Sequence, residues 1–144
     1  MLFTDVSGQP RSSESLLRRV TVLNRKDIAV GGVTGAKNYL DDLDIVGIPR
    51  LDLCVHIPGK NVNLDFVKKL DPGLAQTSDT HQPARLALHF IRRRKSLFSP
   101  GIDGLLMADP IECLLELWGA RFNEQARAFQ EFLEMRGKEL NHES

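Results

Sequence analysis

The chain of 144 residues has little that announces a reaction. It holds two cysteines, Cys54 and Cys113, far apart and in no CxxC pattern, so a paired-cysteine metal or redox motif is excluded. Both read as reduced, packed thiols. Charge of one sign is also missing, with nineteen Lys and Arg against nineteen Asp and Glu. A balanced chain has no long-range field to draw in a polyanion, which argues against a nucleic-acid binder. No stretch approaches the roughly 18 apolar residues that a membrane span needs, and Met1 to Ser15 lacks a basic start followed by an apolar run. The expected location is the cytoplasm, away from membranes. GxSxG, a P-loop and HExxH are all absent, and seven of the eight serines lie in expected loops, caps or frayed ends without a nearby His–Asp pattern.

What is present is an ordinary globular composition, 42% hydrophobic and 26% charged, over a length that suits one domain. With no repeat and no linker, residues 1–144 are expected to form a single domain, with 1–11 and 138–144 frayed. Ser12 or Ser13 can cap a helix carrying Leu16, Leu17, Val20 and Leu23. Asp27 to Val30 reads as a short buried strand running into Gly31-Gly32, followed by a helix over Val33–Leu43 that Gly47-Ile48-Pro49 breaks. Arg50 to Ile57 alternates, with Leu51, Leu53, Val55 and Ile57 on one face and Asp52, Cys54 and His56 on the other, as a half-buried strand does. A short helix near Asn63–Leu70, an exposed loop over Gln76–Pro83 and a strand over Ala84–Arg92 follow. Pro100 to Gly104 reads as a hairpin turn with Leu105–Met107 as its return. Asp109-Pro110 starts a helix with an N-cap, a proline at its first position and Glu112 in its first turn. Its expected core stripe is Ile111, Leu114, Leu115 and Trp118. Asn123 can cap a last helix, with Phe122, Ala126, Phe129 and Leu133 inward and Gly137 ending it. The expected fold is α/β of the α+β kind, a mixed sheet of four to five strands packed by helices.

Three constellations could carry chemistry. Strand, Gly31-Gly32 turn, helix and a strand holding Asp52 are laid out like a nucleotidyltransferase core, in which the glycines admit phosphate and two carboxylates hold a divalent metal. Here the second carboxylate position is Cys54, a soft ligand, and the later strand Ala84–Arg92 contains no acid. At most a degenerate core is expected, with Gly31, Gly32, Arg50 and Asp52 as a nucleotide- or anion-binding set. Asp52, Cys54 and His56 could offer zinc ligands, with His89 on the opposing strand, but alternate strand positions lie about 7 Å apart, too far for one ion. No metal and no cofactor are expected. Arg92-Arg93-Arg94-Lys95 is a run of four cations with only Phe90 and Phe98 as nearby aromatics. It reads first as a solvated strand edge, and otherwise as a patch for DNA backbone or for an acidic protein partner.

Ile28 to Ala36, the stretch Pro49 to Val55, and above all Asp103-Gly104-Leu105-Leu106-Met107-Ala108-Asp109-Pro110-Ile111-Glu112-Cys113-Leu114-Leu115-Glu116-Leu117 resemble the C-terminal portion of AbiEi-like bacterial regulators, the antitoxins of type IV toxin–antitoxin systems. The similarity covers about Ile28 to Leu133, and the family often has Asp where this chain has Glu116. The resemblance implies a non-enzymatic antitoxin-like or regulator-associated domain that binds a protein, with a nucleotidyltransferase-like toxin as the cognate partner. In the family a winged helix precedes this portion. Met1 to Asp27 is too short for one, so DNA binding is not expected from this chain.

Overall fold

A computed structural model describes residues 1–43, 50–59, 61–79, 83–95 and 97–143. Gly47-Ile48-Pro49, expected to break a helix, and Thr80 to Gln82 of the expected loop lie outside them. Among the described residues, seven strands form one mixed sheet: β1 (Leu2–Asp5), β2 (Ile28–Val30), β3 (Leu51–His56), β4 (Leu74–Thr77), β5 (Leu86–Ile91), β6 (Ser99–Pro100) and β7 (Leu106–Met107). Their order is β4-β1-β5-β3-β2-β7-β6. The central pair, β3 and β5, is parallel, β2 runs antiparallel to β3, and β7 runs parallel to β2.

Helices of the described residues cover both faces: α1 (Ser13–Leu23), α2 (Gly32–Tyr39), α3 (Asp65–Leu70), α4 (Pro110–Gly119) and α5 (Asn123–Glu143). On one face α1 and α3 place Leu16, Val20, Phe66 and Leu70 against Leu51, Leu53, Val55, Leu86 and Leu88. On the other α2, α4 and α5 place Val33, Ala36, Cys113, Leu117, Ala126 and Phe129 against Cys54 and Ile91. Caps fix the helix starts: Ser12 accepts from the Ser15 N–H, and Asp109 accepts from the Glu112 N–H ahead of Pro110.

The α/β class, the three central strands, the 99–107 hairpin and the inward face of α5 agree with the sequence reading. Several details differ. The sheet gains β1 and β4, which pair with each other and carry too few apolar residues to signal themselves; tertiary pairing makes them strands. Residues 2–5 are therefore not frayed: Phe3 is buried, and the Met1 ammonium donates to the Leu88 carbonyl at 3.0 Å. The start of the expected loop at Gln76 is likewise strand. At the other end α5 continues through Gly137 to Glu143, because one glycine inside a helix costs only about 1 kcal/mol and does not stop it. Finally, β3 is buried on both faces, its Asp52–Cys54 side lying under α2 and α4 instead of facing water.

The phase of α4 is the largest correction. Its buried residues are Cys113, Glu116 and Leu117. Three of the four residues expected in the core, Ile111, Leu115 and Trp118, are instead 58%, 58% and 37% exposed. Leu114 packs partly inward. Two stripes at helical spacing coexist on this helix, and only packing decides between them.

Candidate functional site

The backbone of β2 runs straight into the glycine pair, and the Gly31 N–H donates to the Asp52 carbonyl at 2.9 Å. Gly31 is extended and caps α2, whereas Gly32 sits at φ +57, where glycine has no steric penalty. A Cβ at Gly31 would stand 2.5 and 2.7 Å from the Glu116 carboxylate oxygens and 2.9 Å from the Cys54 sulfur. One at Gly32 would stand 2.7 Å from the side-chain carbons of Asp52. The two glycines thus make room for two carboxylates of the chain itself.

Strand β3 supplies Asp52 and Cys54, with Arg50 just before it, and the register of the parallel pair sets Cys54 opposite His89 of β5. The His89 Nε2 lies 2.7 Å from Asp52 Oδ2 and 3.3 Å from Glu116 Oε1. The Arg50 guanidinium reaches both Asp52 oxygens, at 3.2 and 3.3 Å. The Cys54 thiol donates toward Glu116 at 3.3 and 3.5 Å. Asp52 and Glu116 are 4% and 2% exposed, while the His89 side chain is 28% exposed. Five side chains from β3, β5, α4 and the approach to β3 therefore form one network, buried at its carboxylate end and open at its imidazole.

Burial pushes the Glu116 carboxyl up to about 7, and the nearby Asp52 charge adds to this, while His89 and Cys54 pull the other way. For His89 burial disfavours the cation, but the Asp52 hydrogen bond and the charges of Glu116 and Asp52 outweigh it and raise its pKa. Burial, with Glu116 adding to it, drives both the Cys54 and Cys113 thiols up, so neither is an activated nucleophile.

The structure brings together all four residues of the expected anion set, Gly31, Gly32, Arg50 and Asp52. Yet the space over Gly31 holds the Glu116 carboxylate, which would repel a phosphate. Of Asp52, Cys54 and His56, whose strand spacing is too wide for one ion, Asp52 and Cys54 join the network, whereas His56 turns away. Its Nε2 lies 2.6 Å from the Arg93 carbonyl, and its ring meets the edge of Phe98. The sequence points to a strand for the third acid and gives no plain sign of Glu116. That acid comes from a helix, and its one trace, the Cys113–Glu116–Leu117 spacing, is masked by the more apolar stripe beside it.

The basic run is not four equivalent cations. Arg93 donates to Asp109 at 3.1 Å and Glu112 at 3.5 Å, clamping the strand end to the first turn of α4. Arg92 reaches the Gly59 carbonyl at 3.4 Å and is exposed, as are Arg94 and Lys95. The same helix exposes Ile111, Leu115 and Trp118 to solvent. No helix of the described residues is long and apolar enough to cross a membrane. No family model, curated protein or solved structure matches the chain.

Proposed function

We propose that this domain is a non-enzymatic, antitoxin-like or regulator-associated module that works by binding a partner protein. One observation carries the reading: α4 exposes the apolar stripe Ile111–Leu115–Trp118, and Arg93 ties the first turn of that helix to the strand end that carries the exposed cations Arg92, Arg94 and Lys95. An apolar centre containing a tryptophan, with a charged rim, is the anatomy of a protein interface, where the centre supplies affinity and the rim steers the encounter. The partner that fits is a protein with an apolar anchor flanked by acidic residues. The resemblance of the 103–117 segment to AbiEi-like regulators supports the same reading and points to a nucleotidyltransferase-like toxin. The alternative, a degenerate nucleotidyltransferase fold that holds a nucleotide or anion at Gly31-Gly32, is disfavoured by the carboxylates filling that turn.

The test is calorimetric titration with the product of the adjacent reading frame, run alongside titration with nucleoside triphosphates. The expected result is binding of the protein and not of the nucleotides, weakened at least tenfold by Leu115→Glu or Trp118→Ala. Nucleotide binding that Arg50→Ala removes, with no loss of partner affinity in the α4 variants, would overturn the reading in favour of the anion site.

A further inference from the structure

We infer that Asp52, His89 and Glu116 form a binding site for a first-row divalent metal ion of the zinc type, held by two carboxylates and one imidazole. This goes beyond partner binding and does not depend on it. The three ligand atoms come from β3, β5 and α4 and lie within 4.8 Å of one another. Folding of the whole domain, not a local acidic loop, puts them there.

The second observation is a mismatch of hydrogens. A single nitrogen, His89 Nε2, faces Asp52 Oδ2 at 2.7 Å and Glu116 Oε1 at 3.3 Å. That nitrogen carries at most one hydrogen, and the nearer oxygen takes it. Glu116 is then left with the Cys54 thiol, a weak donor, although its carboxylate is almost wholly buried. A buried carboxylate so poorly matched is costly. A cation seated between the three atoms removes the mismatch, since it takes a lone pair from each instead of sharing one hydrogen.

The spacing suits such an ion. Metal–nitrogen and metal–oxygen bonds of about 2.1 Å at a tetrahedral angle hold ligand atoms roughly 3.4 Å apart. The His89–Glu116 separation of 3.3 Å is already there, and Asp52 Oδ2 needs to draw back by roughly 0.7 Å to reach that tetrahedral spacing. An imidazole in the set favours zinc or cobalt over magnesium or calcium, which prefer all-oxygen shells. Three protein ligands leave a position for water, and the partly exposed His89 ring lies where an ion can arrive. The neighbouring set Cys54, Glu112 and Glu116 shares one ligand but lacks a nitrogen, and its thiol is fully buried.

The full chain, stripped with EDTA, is titrated with Zn²⁺ alone by calorimetry and with Co²⁺ by absorption and paramagnetic NMR. The expected result is one ion per chain and a Co²⁺-shifted imidazole resonance from His89. His89→Ala and Glu116→Gln should each weaken zinc binding by about tenfold or more, with His56→Ala binding as the wild type does. The NMR signature decides the matter in the unaltered chain even if a variant fails to fold. The inference is overturned by no saturable one-to-one binding at micromolar zinc, by a Co²⁺ ion that leaves the His89 resonance unshifted, or by wild-type affinity in either variant.

Discussion

The carboxylate of Glu116 occupies the volume that a side chain at Gly31 would need: a Cβ there would meet Oε1 at 2.5 Å. The glycine and the acid are one packing unit, although 31 lies on a strand-to-helix turn and 116 on a distant helix.

Gly31→Ala should therefore destabilise the domain by roughly 1–3 kcal/mol through overpacking. In a Glu116→Ala background the same change should cost less, giving a coupling energy of about 1 kcal/mol between the two positions. Urea denaturation of the four members of the cycle measures it. Strict additivity would show that the two side chains do not compete for this space.

Stability of the metal-free chain should fall as pH rises across neutrality. Glu116 titrates at about 7 when folded against 4.5 for an ordinary glutamate. Between those values the folded state holds a proton that the unfolded chain has released, so unfolding becomes easier with rising pH, by up to about 3 kcal/mol. His89, also raised, adds in the same direction: its contribution is full below 6.5 and lost as pH passes its folded value. The groups facing Glu116 are Asp52, Cys54, His89 and Glu112, with Arg50 behind Asp52. Asp27, lowered by the Arg25 hydrogen bond, acts oppositely but only below about 3.8. Denaturation midpoints from pH 5 to 8 check this, and Glu116→Gln should flatten the curve. A profile that rises across this range would contradict the assignment.

The helix α4 should tolerate charge on the stripe that its sequence marks as core. Ile111→Lys or Leu115→Lys should shift stability by no more than about 0.5 kcal/mol, as exposed sites do. Leu117→Ala, fully buried, should cost about 2–5 kcal/mol. Thermal unfolding of the three variants fixes the phase of the helix, and the reverse ranking would place the stripe inward.

No transfer of label from any nucleoside triphosphate is expected with magnesium or manganese. Strand β3 offers Asp52 but has Cys54 where a second carboxylate is needed, and its thiol stays protonated. Label transfer that disappears in Asp52→Ala would refute this.

Reversing the charge of the exposed cations Arg92, Arg94 and Lys95 should slow association with a partner by tenfold or more and reduce its salt dependence, with little effect on dissociation. Arg93 is excluded from that set because reversing it would break the clamp to Asp109 and Glu112. Stopped-flow association at two ionic strengths is the measurement, and an unchanged rate would remove the run from the interface.

The parts of the fold that could be read in the sequence are those where one signal dominated. Leu51, Leu53 and Val55 alternate without competition, and Asp109-Pro110 leaves a single helix start. Where two signals competed or none was strong, reading failed. The more hydrophobic stripe of α4 suggested the wrong face, because the energy that orients the helix comes from what its other face meets: Cys113 under Gly35 and Glu116 over Gly31. The same cause hid the site. Asp52 and His89 stood out by type, but nothing local to residue 116 says that its acid is buried against them.

The position of β1 has a consequence for how the chain can come together. This strand lies between β4 and β5, with Leu2 opposite both Thr77 and Ala87. The earliest residues thus cannot be seated until partners far down the chain exist, which makes this end of the sheet a late, slow closure. Among the described strands, β1 is also what ties β4 to the rest. Were it to peel away, β5 would present a bare row of backbone donors and acceptors, a template on which a second chain could pair.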